Sequence, residues 1–569
     1  MKMKSFKPSF SKPNILSPIT QTLRVIPLGG VGDVTKNMYV YEYGNDIIVV
    51  DCGIGFPDEG MLGVDLVLPD ITYLKERIHK VRGIVVTHGH DDHIGGLPYL
   101  WPQLQVPIYA QKLAAGFLKS KFSENKLPLD KIKTTDLTTQ LTLGVFKVGF
   151  YPVAHSVPDS TGLIIDTPVG RVIHQSDFKM DWTPVNNQIT DVKKITEAAK
   201  DGVVLMLIDG LRSERRGMNP SERPIENTFF EIGNRTQGKV IITTNSSSIT
   251  RIQQAINVAV KLNRKVALIG RSMENNFQVA SDLGYISSPP GLIIANEEIK
   301  RFADDNLMLI MAGSQGQPGS SLSRAANNDH RLVTFKKGDV VIVASDPIPL
   351  SMNTYYALID KLSRSGIDVY YSDIQEHLHV SGHASSEEIK LMVSLVRPNY
   401  IMPIGTTFRG MRAFARLMKD LGYQDDKVIT LDTQKVLLVT KAGVEIGEHI
   451  ETQNVYVDGL GVGDVGTIVL RDRQVLAEEG IVVVILPIDY QTGRLAGEAD
   501  IISRGFVFEK TSEELLADAK KVVDSALSDH KEGPLDWRFV RSHIEENLEK
   551  FFYEETKRRP MILPVVVEV

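Results

Sequence analysis

His88, His90, Asp92 and His93 crowd into one short stretch, Gly83–His93, directly behind an apolar run. Imidazole and carboxylate at that density point to metal binding. Nitrogen and oxygen donors without thiolate suit zinc first, then manganese or magnesium. The alternative is a solvated polar loop, but few such loops place three His and two Asp within six residues behind a buried strand. Side chains two apart in extended chain share a side, so His88 and His90 can grip one ion. Asp92 and His93, past the bend, are then expected to face a second. Two isolated residues extend the pattern. His155 lies in Pro152–Pro158 among small neighbours, and Asp177 follows Gln175-Ser176. Each alone reads better as a cap or a core polar group than as a ligand. Behind strands in a chain that already carries the His cluster, both are expected as ligands, and the two oxygens of Asp177 suit a bridge between ions. Asp51, at another strand end, reads either as a turn residue or as a group orienting a ligand from behind.

The elements that must hold these residues alternate. Ile84–Thr87 reads as a short buried strand ending in the His cluster. Leu23–Leu28 is a strand, and Gly29–Asp33 a tight turn that fits no nucleotide fingerprint. Met38–Tyr43 and Asp46–Val50 form a hairpin turning at Gly44-Asn45. Val106–Ala110 is a strand, Lys112–Phe122 a helix and Gln140–Tyr151 a hairpin. Strands over Thr161–Asp166, Arg171–His174 and Val203–Ile208 follow, the last ending in Asp209. From about 211 to 372 the βα alternation starts afresh, which predicts a second α/β domain with a parallel sheet. Its loops Thr244–Ser248 and Gly313–Pro318 offer amides and hydroxyls that suit either phosphate or an ordinary turn. Near 373 the first domain resumes, with a turn ending in His383 before a helix over Ser386–Val396. Strands at 466–470 and 480–486 and helices near 512–529 and 537–553 predict a small third domain.

The chain has 569 residues, 42% hydrophobic and 24% charged, with net charge −6. That is an ordinary globular balance with room for several domains. Mild acidity argues against indiscriminate coating of nucleic acid but leaves room for a local basic groove. Cys52 is the single cysteine, so no intrachain disulfide forms. Residues 1–22 carry Lys, Pro and Ser without periodicity, which predicts a flexible tail. No apolar signal core or membrane-length run is present, and a cytoplasmic protein with no membrane association is expected.

The series His-x-His-x-Asp-His, lone His, lone Asp resembles the metallo-β-lactamase fold. Asp209 and the Ser381-Gly382-His383 turn resemble its β-CASP subgroup. Met61–Leu66, Ser213–Arg215, Gly313–Gly316, His379–His383 and Lys557–Pro564 are similar to the ribonuclease J family, from about residue 23 to the C-terminus. The resemblance implies an αββα metallo-β-lactamase sandwich interrupted by a β-CASP α/β domain, plus a small C-terminal α/β domain. The expected division is a tail over 1–22, a first part over 23–210, a β-CASP domain over 211–372, a return segment over 373–455 and a C-terminal domain over 456–569. It implies RNA as partner, 5′-to-3′ exonuclease with endonuclease activity in RNA maturation and decay, a homodimer or homotetramer, and an RNA-decay complex as a further expected partner. Carried over by residue, His88, His90 and His155 hold a first zinc, Asp92 and His93 a second, and Asp177 bridges. Asp209 and His383 are the catalytic pair. His379, Val380, Ser381, Gly382, His383, Ala384 and Ser385 seat a substrate phosphate.

One departure stands out. The family's third β-CASP motif, a Pro-Val-His-Gly-Glu-like stretch, supplies a His to the second ion. Here the stretch is Pro403-Ile404-Gly405-Thr406-Thr407-Phe408, and Gly405 occupies the place of that His. The second site is therefore expected to be weak. Rival readings are a catalytically impaired RNA-binding scaffold, a small-molecule metallo-hydrolase of the same fold, and a β-CASP enzyme for DNA or mRNA 3′ ends. His377 is a nearby imidazole without an assigned place.

Overall fold

The computed structural model describes residues 21–58, 60–348, 351–489, 496–507, 513–528 and 537–568. Residues 1–20 of the expected tail lie outside them. Two compact units are present: the chain up to Phe56 with Val67–Asn454, and Pro57–Leu66 with Val455–Val569.

Two sheets face each other in the first unit. One has eight strands, in the order Val444–His449, Lys435–Val439, Leu23–Gly29, Met38–Tyr43, Asp46–Val50, Val81–Val85, Ile108–Ala110 and Ile132–Thr134. The other has six, in the order Tyr400–Ile404, Leu205–Asp209, Gly170–Gln175, Thr161–Thr167, Phe146–Pro152 and Gln140–Leu143. Alternation explains why the central strand Leu205–Asp209 is apolar up to its final Asp. Leu205 and Leu207 point into the core between the sheets with Val25, Tyr41 and Val85. Met206 and Ile208 point outward, where Ile389, Met392, Phe414 and Met418 of helices Ser386–Val396 and Phe408–Asp420 cover them. Strands buried on both faces read as continuous apolar runs. Helix Lys112–Glu124 packs against the outer side of the first sheet. The result is the αββα sandwich.

Between Asp209 and the Ser386–Val396 helix the chain builds a five-stranded parallel sheet. Its order is Lys265–Ile269, Leu307–Met311, Val240–Thr243, Val340–Val343 and Asp368–Tyr370, around its own core. The expected turn at Gly29–Asp33 contains more than a turn. Val31-Gly32 pairs in parallel with Thr406-Thr407, which ties the first strand region to the Gly405 loop.

In the second unit, Ile481–Ile488 lies between Asp500–Arg504 and Met561–Glu568, with helices Glu513–Ser528 and Trp537–Thr556 on its core. Here one expectation fails. The β-branched run at 466–470 is no strand; Thr467–Glu479 is a helix. The strong helix formers of Arg471–Glu479 outweigh three β-branched residues, whose helical cost is only a few tenths of a kcal/mol each, about 0.5. Arg473 pairs with Asp458 from this helix. Among the described residues, no helix is long and apolar enough to cross a membrane.

Candidate metal centre

Parallel pairing decides what meets what. Val50 is in register with Val85, so Asp51 and Thr87-His88 leave adjacent strands on the same side. On the other sheet Gln175 pairs with Ile208, and Asp209 with Ile404. Asp177, Asp209 and Gly405 thus emerge side by side, at the carboxyl ends where open α/β sheets place their sites. His155 follows the strand Phe146–Pro152, and Asp92 and His93 sit on a single turn, Asp91–Ile94.

Three donor groups converge. One is His88, His90, His155 and Asp177; the second is Asp92, His93 and Asp177; the third is Asp177, Asp209 and His383. Asp177 belongs to all three. Its Oδ2 lies 3.4 Å from His88 Nε2, 3.5 Å from His93 Nε2, 3.6 Å from His155 Nε2 and 3.8 Å from His383 Nε2.

The tautomers follow from the hydrogen bonds behind each ring. Thr87 donates its amide to Asp51 Oδ1 at 2.8 Å and its hydroxyl to Asp51 Oδ2 at 2.7 Å. With that proton committed, Thr87 Oγ1 accepts from His88 Nδ1 at 3.0 Å, leaving His88 Nε2 as a lone pair facing the centre. Asp51 Oδ2 also takes His93 Nδ1–H at 2.7 Å. His155 Nδ1–H goes to the Gly382 carbonyl at 2.7 Å. A side chain on residue 382 would collide with the His155 ring, so only glycine brings its carbonyl there. His90 Nδ1 stands 3.1 Å from both His88 Nε2 and His155 Nε2. Asp51 holds this arrangement at φ 60°, a left-handed conformation that Asp tolerates better than most residues.

This donor set fits a divalent cation. Lone-pair nitrogens 3.1 Å apart repel unless a proton or cation lies among them. In a tetrahedron with bonds of 2.0–2.1 Å, donor atoms stand about 3.4 Å apart. The 3.1 to 3.6 Å separations of the first group bracket that value. Burial and neighbouring imidazoles hold His90 and His155 well below the usual imidazole value, hence as neutral donors. Asp51 and Asp177 are buried with Asp209 in the same site, a crowding of negative charge that a cation relieves. Burial raises Asp92 and Asp209, whereas Asp177, against its own burial, is held well below the carboxylate range by His93 and His383.

Asp209 Oδ2 accepts from His383 Nδ1 at 2.9 Å, and Asp209 Oδ1 accepts from the Leu211 amide at 2.9 Å. Burial works against a charge on His383, but Asp209 and Asp177 push it up to about 9. The rest of the turn is mixed. His379, Ser381 and His383 are half-buried; Val380, Gly382, Ala384 and Ser385 are buried. Ser381 Oγ accepts from the His383 amide, and Ser385 gives its amide to Glu388 and its hydroxyl to Asn219. His379 Nδ1 stands 3.1 Å from Asp346 Oδ2, too bent for a hydrogen bond. His377 is exposed, at φ 58°, and joins none of the donor groups. The loops Thr244–Ser248 and Gly313–Pro318 meet through Ser314 and Asn245 at 3.3 Å.

Gly405 adopts φ 61°, and a Cβ there would meet nothing closer than Asn37 Oδ1 and Asp209 Oδ1 at 4.0 Å. The second donor group is open on that side. Asn37 borders it, with Nδ2 3.2 Å from His93 Nε2 and Oδ1 accepting from Tyr39. Asn37, Thr87, Asn219 and Glu388 are site residues that sequence reasoning missed. Polar residues of these types are everywhere in the chain, and nothing local marks these four.

Comparison with known proteins adds family evidence. Residues 31–178 match the metallo-beta-lactamase superfamily, 237–362 the ribonuclease J beta-CASP domain, 366–430 the Zn-dependent metallo-hydrolase RNA specificity domain and 468–569 the ribonuclease J C-terminal domain. Ribonuclease J2 of Bacillus subtilis is 38% identical over 97% of this chain and 99% of its own. Ribonuclease J 1 of Streptococcus pyogenes is 36% identical over 95% and 97%, and ribonuclease J 2 of Staphylococcus aureus 32% over 98% and 100%.

Proposed function

Because the chain belongs to the ribonuclease J family, we propose that it is a metal-dependent ribonuclease that hydrolyses RNA phosphodiester bonds. The observation that carries this reading is the convergence of three donor groups on one carboxylate, Asp177. His88, His90, His155 and Asp177 would hold a first ion, zinc by donor type. Asp92, His93 and Asp177 would hold a second, more weakly, because Gly405 contributes no side chain. When bound, such ions polarise a phosphate oxygen and lower the pKa of water from ~15.7 toward ~7.

The protein's own residues supply the rest. Asp209 fixes His383 by accepting at Nδ1, so Nε2 is the atom that moves a proton. With its pKa raised to about 9, His383 carries that proton at neutral pH and can give it to the leaving oxygen. Asp209 therefore serves as the orienting partner of the catalytic His383. Within the His379–Ser385 turn, Ser381 and His383 are half-buried and available to a substrate phosphate. Family membership supports 5′-to-3′ exonuclease action with endonuclease activity, and assembly as a homodimer or homotetramer.

The test is digestion of 5′-monophosphorylated RNA with and without chelator, beside His88→Ala. Mononucleotides released only with metal and His88 are the expected result. Internal fragments alone would place endonuclease action first. A second reading, an RNA-binding scaffold with impaired chemistry, is motivated by Gly405; RNA retention without cleavage under zinc and manganese alike would establish it.

A further inference from the structure

Glu388 is a fully buried carboxylate with no part in the chemistry described so far. It is the third residue of the helix Ser386–Val396. Its Oε1 accepts the Met180 amide at 2.8 Å. Its Oε2 accepts the amides of Asn219 at 2.9 Å and Ser385 at 2.8 Å. The last of these is an ordinary capping box, which stabilises a helix start. The other two reach out of the helix, and their origins matter. Met180 lies three residues beyond Asp177, Ser385 two beyond His383, and Asn219 lies within the loop that leaves Asp209 and runs to the helix Ile225–Arg235. One carboxylate thus joins the three segments that carry the Asp177, Asp209 and His383 group.

Neighbouring bonds run the same way. The Asn219 side chain donates to the His383 carbonyl and accepts from Ser385 Oγ at 3.1 Å. Ser386 gives its amide to Arg215 O, and Glu387 gives its amide to Gly217 O. Lys179, beside Met180, gives its amide to Ala154 O, which links the same segment to His155. We propose that Glu388, with Asn219 beside it, is a positioning clamp that holds Asp177 and His383 at their mutual distance, and that Glu388 in this role is required for metal retention and for turnover.

The chemistry requires an acid. A carboxylate offers acceptors on both oxygens and no donor. Glutamine must turn its NH2 either toward Met180 N–H or toward the paired amides of Asn219 and Ser385. In the first case the Asp177 segment is released, in the second the His383 turn. A helix cap alone would need only the Ser385 bond. The proposal rests on the metal-dependent hydrolase reading given above.

The experiment compares wild type, Glu388→Gln, Asn219→Ala and Ile389→Val at a temperature where each is folded by circular dichroism. Ile389 is the next residue of the helix and a pure core position, so its variant lowers stability without touching the clamp. Cobalt(II) is loaded, its visible spectrum recorded and its retention measured against a chelator; kcat and KM are measured on 5′-monophosphorylated RNA. Glu388→Gln is expected to shift the cobalt spectrum and to lose about 10–100-fold in metal retention, the usual size for groups that orient ligands from behind. Its kcat is expected to fall more than its KM rises. Asn219→Ala is expected to lower kcat while keeping its cobalt, and Ile389→Val to match wild type in both. A folded Glu388→Gln with wild-type spectrum, retention and kcat overturns the clamp. Should Glu388→Gln fail to fold, a wild-type kcat for Asn219→Ala overturns it instead. Wild-type protein that neither takes up cobalt nor cleaves RNA would sink the hydrolase reading itself, a separate outcome.

Discussion

The two halves of the metal centre share one carboxylate and are built differently. In the first half, His88, His90, His155 and Asp177 come from three separate segments, and His88 and His155 each have a hydrogen-bonded partner behind the ring. In the second half only Asp92 and His93 join Asp177, both from one helical turn, and the side toward Gly405 is open. His93 too is held from behind, by Asp51, so the difference lies in donor number: four in the first half, against three and an open side that water or substrate must complete in the second. The comparison teaches that the sandwich determines the first half through long-range strand pairing, while the second half depends on what one loop residue brings.

The largest effect is expected from the residue the halves share. Asp177→Asn should strip bound metal from both and abolish RNA turnover, read by elemental analysis of the purified protein; retention of a full ion in either half would show them to be independent. Next, His155→Ala should empty the first half and lower activity far more than Asp92→Ala, which should leave about one ion per chain by the same measurement. If Asp92→Ala empties the protein, the order of the halves is reversed. A smaller loss should follow Thr87→Val, which removes the hydroxyl between His88 and Asp51: about 10–100-fold in metal affinity or activity, measured by chelator competition. The smallest change is Gly405→His. At φ 61° a side chain costs about 1–2 kcal/mol, visible in a denaturant melt. The added imidazole should nevertheless tighten the second ion, and unchanged stoichiometry and affinity would contradict the account of that open side.

Much of the architecture was legible because it is encoded locally. The hairpin Met38–Tyr43 and Asp46–Val50, the helix Ser386–Val396 and the parallel strands of the inserted domain each carry their own periodicity and punctuation. Contiguous runs with conflicting cues were not legible. Gly466–Leu470 favours strand by its first residues, and the helix formers after it decide otherwise. Within the site, the His88–His93 cluster announces itself by density, whereas Asn37, Asn219 and Glu388 carry no local sign, because their role lies entirely in which distant atoms they meet.

Sequence alone determined the donor types, the apolar runs that become doubly covered strands, and the absence of a side chain at position 405. Tertiary structure decided that Asp177 stands among four imidazoles, that His88 and His155 turn a lone pair inward while His383 turns a proton, and that one buried glutamate ties together segments up to some two hundred residues apart, since Met180 and Glu388 are separated by 208 positions. The physical reason is the directionality of hydrogen bonds and strand pairing. Residue order sets what each group can donate or accept, and only the folded backbone sets where those groups point.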